Sequence, residues 1–347
     1  MKRCAIALIV LGLSSFWTLP LHSQSIFTLN QSVRAYGLGQ SCVADDFDPA
    51  NAYCNPALIF SLHGAFVTGG YGQLVPELAD DVLTYNIGVV CGYGFDIGES
   101  MTLGIAAGLR YNRLEFGRHE IWDVYNVFLG HYEPYERYMS FTFSGGLNVR
   151  ERYIFGFGLA VKPFKYDITK SWFELTRTGD RKTTAYDLGM FFKTIIDLPD
   201  GFTLTPAFGL SVLNLGENKE SLSPLPEQLH VGIGLRLAGF GSARIDEILH
   251  RKTPVLTLAG NFEINREQIL DKSTIYGYGF EVGLIQTLFL RIGYYDYEDG
   301  HIEDITYGIG TGITYGRIQA RFDYAYVPQG AELDYVSKYG GTVGVVF

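Results

Sequence analysis

Charge is scarce in this chain, and what there is leans acidic. Of 347 residues 18% are charged, with 27 lysines and arginines against 37 aspartates and glutamates and a formal net charge of −10. Binding to a phosphate backbone needs a basic stripe, and none is found, so nucleic acid is excluded as a partner. Long apolar runs are also missing: beyond the first 23 residues no stretch is long enough to cross ~30 Å of hydrocarbon as a helix. Any membrane insertion must therefore use strands. Cysteine is limited to Cys4, Cys42, Cys54 and Cys91. Cys4 falls in the leader, and the three that remain cannot form a fully paired framework. Cys42 and Cys54 are close enough in sequence to pair in an oxidising compartment, a point the spacing leaves open, and Cys91 falls on an outward strand face. No thiol has a local histidine partner that would make it catalytic.

Catalytic signatures are absent too. The histidines at 22, 63, 119, 131, 230, 250 and 301 are scattered, without a His-Glu-x-x-His helix, a Gly-x-Ser-x-Gly elbow or clustered metal ligands. Asp123, His131 and Glu133 share the long 114–136 segment, where carboxylates and imidazoles are ordinarily just solvated. The expectation is a protein that is not an enzyme and carries no cofactor or metal. A mean hydropathy of +0.09, 15% aromatic residues and 42 glycines suit neither a helical membrane protein nor an ordinary cytosolic enzyme.

What is present begins with a leader. Lys2 and Arg3 precede an apolar run from Cys4 to Leu13, and Leu21-His22-Ser23 supplies small polar residues. This pattern predicts a secretory signal peptide over 1–23, cleaved after Ser23 to leave Gln24 first. Downstream the dominant signal is period two. Met101, Leu103, Ile105, Ala107, Leu109 and Tyr111 alternate with Thr102, Gly104, Ala106, Gly108, Arg110 and Asn112. Tyr153 to Lys162, Leu229 to Leu237 and Arg317 to Tyr326 repeat it. A charged row facing hydrocarbon costs several kcal/mol per residue, so Arg110, Lys162, Asp187, Arg236, Glu281, Arg291, Arg321 and Asp323 are expected to point into a lumen.

Fourteen such segments are expected, near 64–72, 82–95, 100–113, 137–149, 152–166, 183–197, 201–214, 227–239, 253–265, 274–285, 287–297, 304–315, 317–327 and 338–347. Short turns at 96–99, 150–151, 199–200 and 316 alternate with longer loops at 114–136, 167–182, 215–226 and 328–337, as in bacterial outer-membrane barrels. The exception is 240–252, where Ile245, Ile248 and Leu249 can line one face of a small helix. The fold class is thus all-β: a single transmembrane antiparallel barrel over 64–347, preceded by a segment at 24–63. A secreted sandwich or propeller would need a covering sheet over every apolar face. The last strand runs to Phe347, and a terminal aromatic on an amphipathic strand resembles the signal that the outer-membrane insertion machinery reads.

The stretch from Arg34 to Ala57 is distinctive. Its Gly37-x-Gly39 is not a dinucleotide loop, since no βαβ unit surrounds it and no third glycine follows. As a run, Arg34, Gly37, Gly39, Ala44, Asp45, Asp46, Asn55, Pro56 and Ala57 resemble the N-terminal segment of the FadL-like outer-membrane superfamily, and more closely its PorV/PorQ branch, associated with type IX secretion. That resemblance implies an N-terminal segment folded back into the barrel as a plug. It agrees with glycines that allow close packing, an asparagine that can cap or turn the chain, and a proline that fixes the entry to the first strand. The inward glycines either leave room for such a plug or merely ease strand curvature.

Two functions follow from the resemblance. The first is a PorV/PorQ-type role in type IX secretion or surface attachment, with secretion components or exported cargo as protein partners engaged by the outer loops. The second is a FadL-type conduit for hydrophobic small molecules, in which Pro206, inside strand 201–214, is the candidate kink for a lateral gap. The mixed lumen charges and the modest length lean towards secretion. Either way the expected location is the outer membrane, with its lipid and the insertion machinery as further partners.

Overall fold

The computed structural model describes residues 25–123, 125–167, 181–216, 225–240, 254–267, 273–297, 302–329 and 333–347. The leader, the small helix expected within 240–252, and His22, His250 and His301 lie outside the described residues. Seventeen strands occur among the described residues: β1 (Gly64–Val75), β2 (Ala79–Asp96), β3 (Met101–Phe116), β4 (His119–Trp122), β5 (Phe128–Tyr132), β6 (Tyr135–Val149), β7 (Tyr153–Asp167), β8 (Arg181–Thr194), β9 (Ile196–Asp197), β10 (Phe202–Leu215), β11 (Gln228–Phe240), β12 (Pro254–Glu267), β13 (Thr274–Leu284), β14 (Leu288–Tyr297), β15 (Ile302–Tyr315), β16 (Ile318–Val327) and β17 (Val336–Val346). β4 and β5 form a separate hairpin, and β9 is a two-residue strand beside β10. The remaining fourteen pair antiparallel in chain order, and β17 pairs with β1, so the sheet closes into a barrel with no free edge. Closure satisfies every ladder hydrogen bond inside the sheet, which hydrocarbon demands.

The expected strand boundaries fall within three residues of those observed. The hairpin β4–β5, inside the 114–136 loop, is an addition. Its strands of four and five residues offer too few alternating positions to register as period two.

The outward faces carry the apolar residues of the alternation. Ile105, Leu109, Phe155, Phe157 and Leu159 are exposed, Phe157 at 59%, and Ile233 of β11 at 56%. Only hydrocarbon makes such a belt favourable, and the barrel spans a membrane. Inward, the wall buries Arg110, Lys162, Asp187, Glu281, Arg291 and Asp323. The core lies between the wall and the chain from Ile26 to Leu62, which runs inside the barrel from the long-loop end to the short-turn end. Ile26 and Phe27 pack with Leu114, Tyr138, Phe164 and Leu225 near the long-loop end. Ala57, Leu58 and Phe60 pack with Ile154 and Phe191 near the other.

Candidate functional site in the filled lumen

Short capped turns shape the inner segment. Ser32 caps the helix Val33–Tyr36, its Oγ accepting from the Ala35 N–H at 3.1 Å. Asp48 and Asn55 cap the 3-10 turns Pro49–Tyr53 and Pro56–Ser61, each with proline at the first helical position. There the missing N–H costs nothing and the ring presets φ. Asn55 does more than cap: its Oδ1 accepts from the Ala57 N–H at 3.0 Å, while Nδ2 donates to the carbonyls of Val43 (2.8 Å) and Met190 of β8 (3.0 Å). Replacing Asn55 by alanine removes a cap and two buried bonds. Urea unfolding in lipid vesicles is expected to show a loss of about 2–4 kcal/mol.

Glycines of the wall seat this segment. A Cβ on Gly156 would lie 2.2 Å from the Phe60 ring, one on Gly189 2.1 Å from Asn55 Oδ1, and one on Gly209 2.0 Å from the Val43 carbonyl oxygen. On the opposite side Leu38 and Gly39 press against Gly277, Gly279 and Gly293, and Gly37 against Gly308. Gly39 takes φ +62° and donates its N–H to Thr306 Oγ1 at 3.0 Å. At these positions a side chain would collide with the inner segment, so the glycines make space for it. Gly310 and Gly312 differ: the first faces Arg291 and Asp323, the second Gln286 and Phe289.

A buried ionic network ties the segment to four strands. Glu281 of β13 accepts Nε and Nη2 of Arg34 at 3.0 Å each, and Nε of Arg291 of β14 at 2.6 Å. Arg291 also meets Asp323 of β16 at 2.8 Å, which pairs with Arg321 at 2.7 Å, and Arg321 reaches Asp48 at 3.0 Å. Arg34 and Arg236 of β11 converge on Asp45. Four arginines thus face four carboxylates. Phe47 sits among three of them, with the guanidinium carbons of Arg236, Arg34 and Arg321 at 4.5, 5.1 and 5.3 Å from its ring centroid. Lys193 pairs with Asp46, and Lys162 with Asp187 at 2.7 Å. Arg110, in contrast, makes one hydrogen bond, to Thr68 at 3.2 Å.

Several of these partners carried no signal in sequence. Phe47 looks like any loop aromatic. Glu263 accepts the N–H groups of Cys42 (2.6 Å) and Val43 (2.8 Å) and also contacts His230 at 2.6 Å. The signal for Glu263 was its inward position in an apolar strand. Cys42 and Cys54 are buried free thiols in one cluster with Ala35, and Cys91 is exposed. Phe347 is 56% exposed and donates its N–H to the His63 carbonyl at 3.3 Å. Among the described residues no group of three or more His, Cys, Asp or Glu is arranged to hold a metal.

Pro206 lies at a break in one seam. It pairs in register with Leu235 of β11, while on its other side the β8 ladder ends at Ala207–Lys193 and resumes with β9 at Leu204–Ile196. Ile195, between them, turns its N–H to the Arg152 carbonyl. Pro206 also borders an apolar groove of about 870 Å³ in the wall from β10 to β15. The groove runs along the outward residues Leu235, Phe262, Tyr278, Phe280 and Ile292, with Gly260 facing out between Leu235 and Phe280. Gly279 and Gly293 form part of its floor, and these are the glycines against which Leu38 and Gly39 rest from inside.

The barrel with its filled lumen aligns with solved structures along nearly its whole length. A TodX monoaromatic hydrocarbon channel mutant shares 10% identity over 92% of this chain and 99% of its own, with a TM-score of 0.52. The Ralstonia pickettii toluene transporter TbuX shares 9% over 93% and 100%, with a TM-score of 0.51. These neighbours are FadL-like outer-membrane barrels. A Pseudomonas aeruginosa FadL homologue aligns with a TM-score of 0.42 at 10% identity. The likeness is one of fold, and the proteins named are channels and transporters. No protein-family model matches the chain, and no curated protein matches it in sequence.

Proposed function

We propose that this chain is an outer-membrane barrel that admits small hydrophobic molecules through its wall. The observation that carries this reading is the 870 Å³ apolar groove, whose glycine floor is backed by the Gly37-Leu38-Gly39 turn. Its size suits a small organic ligand, and its Tyr and Phe rings offer flat apolar contact. At this place only backbone separates the membrane from the inner segment; the β12–β14 ladder is unbroken there, so a passage would open at the interrupted β8–β10 seam beside Pro206, where least pairing has to be given up. Fold-sharing barrels that are a hydrocarbon channel and a toluene transporter support the substrate class. The test is uptake of a labelled monoaromatic hydrocarbon by cells with no other such channel. Expression of the chain should accelerate uptake, and Gly260→Trp, which fills the groove, should return it to background. Phe157→Trp, which faces outward on β7 beyond the groove, should not. Equal uptake with and without the chain would refute the reading.

A second reading, a PorV/PorQ-type component of type IX secretion, is favoured by the ion-paired and filled lumen, which needs no through-path if the work is done by the outer loops. Mass spectrometry of the barrel purified gently from native membranes separates the two. Co-purifying exported proteins or secretion components support the second, and stoichiometric hydrophobic ligand without protein supports the first.

A further inference from the structure

Two buried cations of the lumen have no carboxylate partner among the described residues: Lys338, whose Nζ donates to the Gln73 carbonyl, and Arg110. Arg110 is 6% exposed, its Nη2 donates to Thr68 Oγ1 at 3.2 Å, and its Nη1 is buried with no hydrogen-bond partner among the described residues. A buried guanidinium with donors unmet is costly unless an anion or an acceptor answers it. Carboxylates nearby are committed elsewhere. Asp187 binds Lys162 Nζ at 2.7 Å and the Asn214 N–H at 2.9 Å, while Asp48 serves Arg321, Ser32 and the Ala50 N–H. Beside Arg110 lies a cavity of about 20 Å³, lined also by Ser140, Thr142, Lys162 and Asp187. Its charged lining sums to one excess positive charge: Arg110 and Lys162 against Asp187.

Local structure builds the recess. Thr68, Gly88, Arg110 and Ser140 stand opposite one another on β1, β2, β3 and β6. Gly88 lets the arginine lie flat along the wall, since a Cβ there would come 3.1 Å from its Nε. The Ser140 and Thr142 hydroxyls lie 3.4 Å apart. One of the pair donates to the other, which leaves a hydroxyl hydrogen free to turn to a guest. The volume exceeds the ~10–15 Å³ that a single water-sized guest requires and is too small for a carboxylic acid or a phosphate.

We propose that this cavity binds a monatomic anion of the chloride class, held by Arg110 Nη1 and the hydroxyls of Ser140 and Thr142. A water molecule would satisfy the hydrogen bonds but leave the charge uncompensated in a low-dielectric lumen, and a halide answers both. Bromide, whose anomalous scattering locates it, is the probe. Crystals of the full chain grown in sodium bromide should show an anomalous peak in contact with Arg110 Nη1. The urea midpoint in vesicles should be higher in chloride than in gluconate at equal ionic strength, and Arg110→Met should abolish that difference. Because the variant can fail to fold, the bromide experiment on the unaltered chain decides alone. A crystal grown in sodium bromide with no peak at Arg110 would overturn the proposal.

Discussion

Replacing Glu281 by glutamine will destabilise the folded barrel by about 3–5 kcal/mol, the usual cost of removing one partner from a buried ionic cluster. Glu281 is 1% exposed and accepts three guanidinium hydrogen bonds, two from Arg34 and one from Arg291. Glutamine keeps the shape but not the charge, and its amide N–H₂ turns a donor towards donors. Arg34 and Arg291 then keep only Asp45 and Asp323, without the carboxylate that stood between them, and the ionic tie of the inner segment to β13 and β14 is lost. Urea titration in vesicles, read by the heat-modified mobility of the folded barrel, measures the loss. The double variant Arg34→Met with Glu281→Gln should recover part of it, since the segment's own uncompensated charge is gone. A single variant as stable as the parent would show that the network is solvated and energetically idle.

Gly39→Ala will unseat the turn that backs the groove. Gly39 sits at φ +62°, where an L side chain costs roughly 1–2 kcal/mol before any contact is considered. Its Cβ would lie 2.3 Å from the Tyr294 carbonyl oxygen and 2.5 Å from that of Tyr278. Both neighbours are backbone of ladder-bonded strands, so no rotamer change relieves the overlap. The turn must leave the wall, giving up the bond from the Gly39 N–H to Thr306. Cys42, buried three residues on, reports the movement: it should resist a membrane-impermeant thiol reagent in the parent and react in the variant. Small-solute permeability of reconstituted vesicles should rise with it. Protection of Cys42 unchanged by the substitution would mean that the wall, and not the segment, had yielded. Gly308→Ala, whose Cβ approaches Gly37 at 3.1 Å, should act in the same direction more weakly.

How far the site could be read beforehand differs residue by residue. Arg110, Lys162, Arg236, Glu281, Arg291, Arg321 and Asp323 stand on strands whose other face is apolar, so their inward direction follows from period two. Their partners do not follow. Nothing in the spacing of Arg34 and Glu281, 247 positions apart, says that they bond, because the pairing depends on where a chain inside the barrel happens to cross the wall. Asp48 is not part of the Asp45-Asp46 pair that marked the motif, yet it caps a turn, accepts from Ser32 and neutralises Arg321. The inward glycines left space and curvature as equal explanations in sequence. The distances to Phe60, Asn55, Val43 and Leu38 favour space at those positions. Pro206 is where the β8 ladder stops, but the groove beside it depends on Gly260, an outward glycine that no local pattern distinguishes.

Alternation along each strand therefore carried the barrel, its strand count and the sense of every wall residue. These are local properties: a β-strand turns successive side chains to opposite faces, and hydrocarbon rejects charge on one of them. The register in which β17 closes on β1, the path of residues 26–62 through the lumen, the arginine cage around Phe47, the groove and the recess beside Arg110 were decided only in three dimensions. Each joins residues far apart in the chain, and their meeting is set by strand register and by the space that glycines leave, neither of which any single strand encodes.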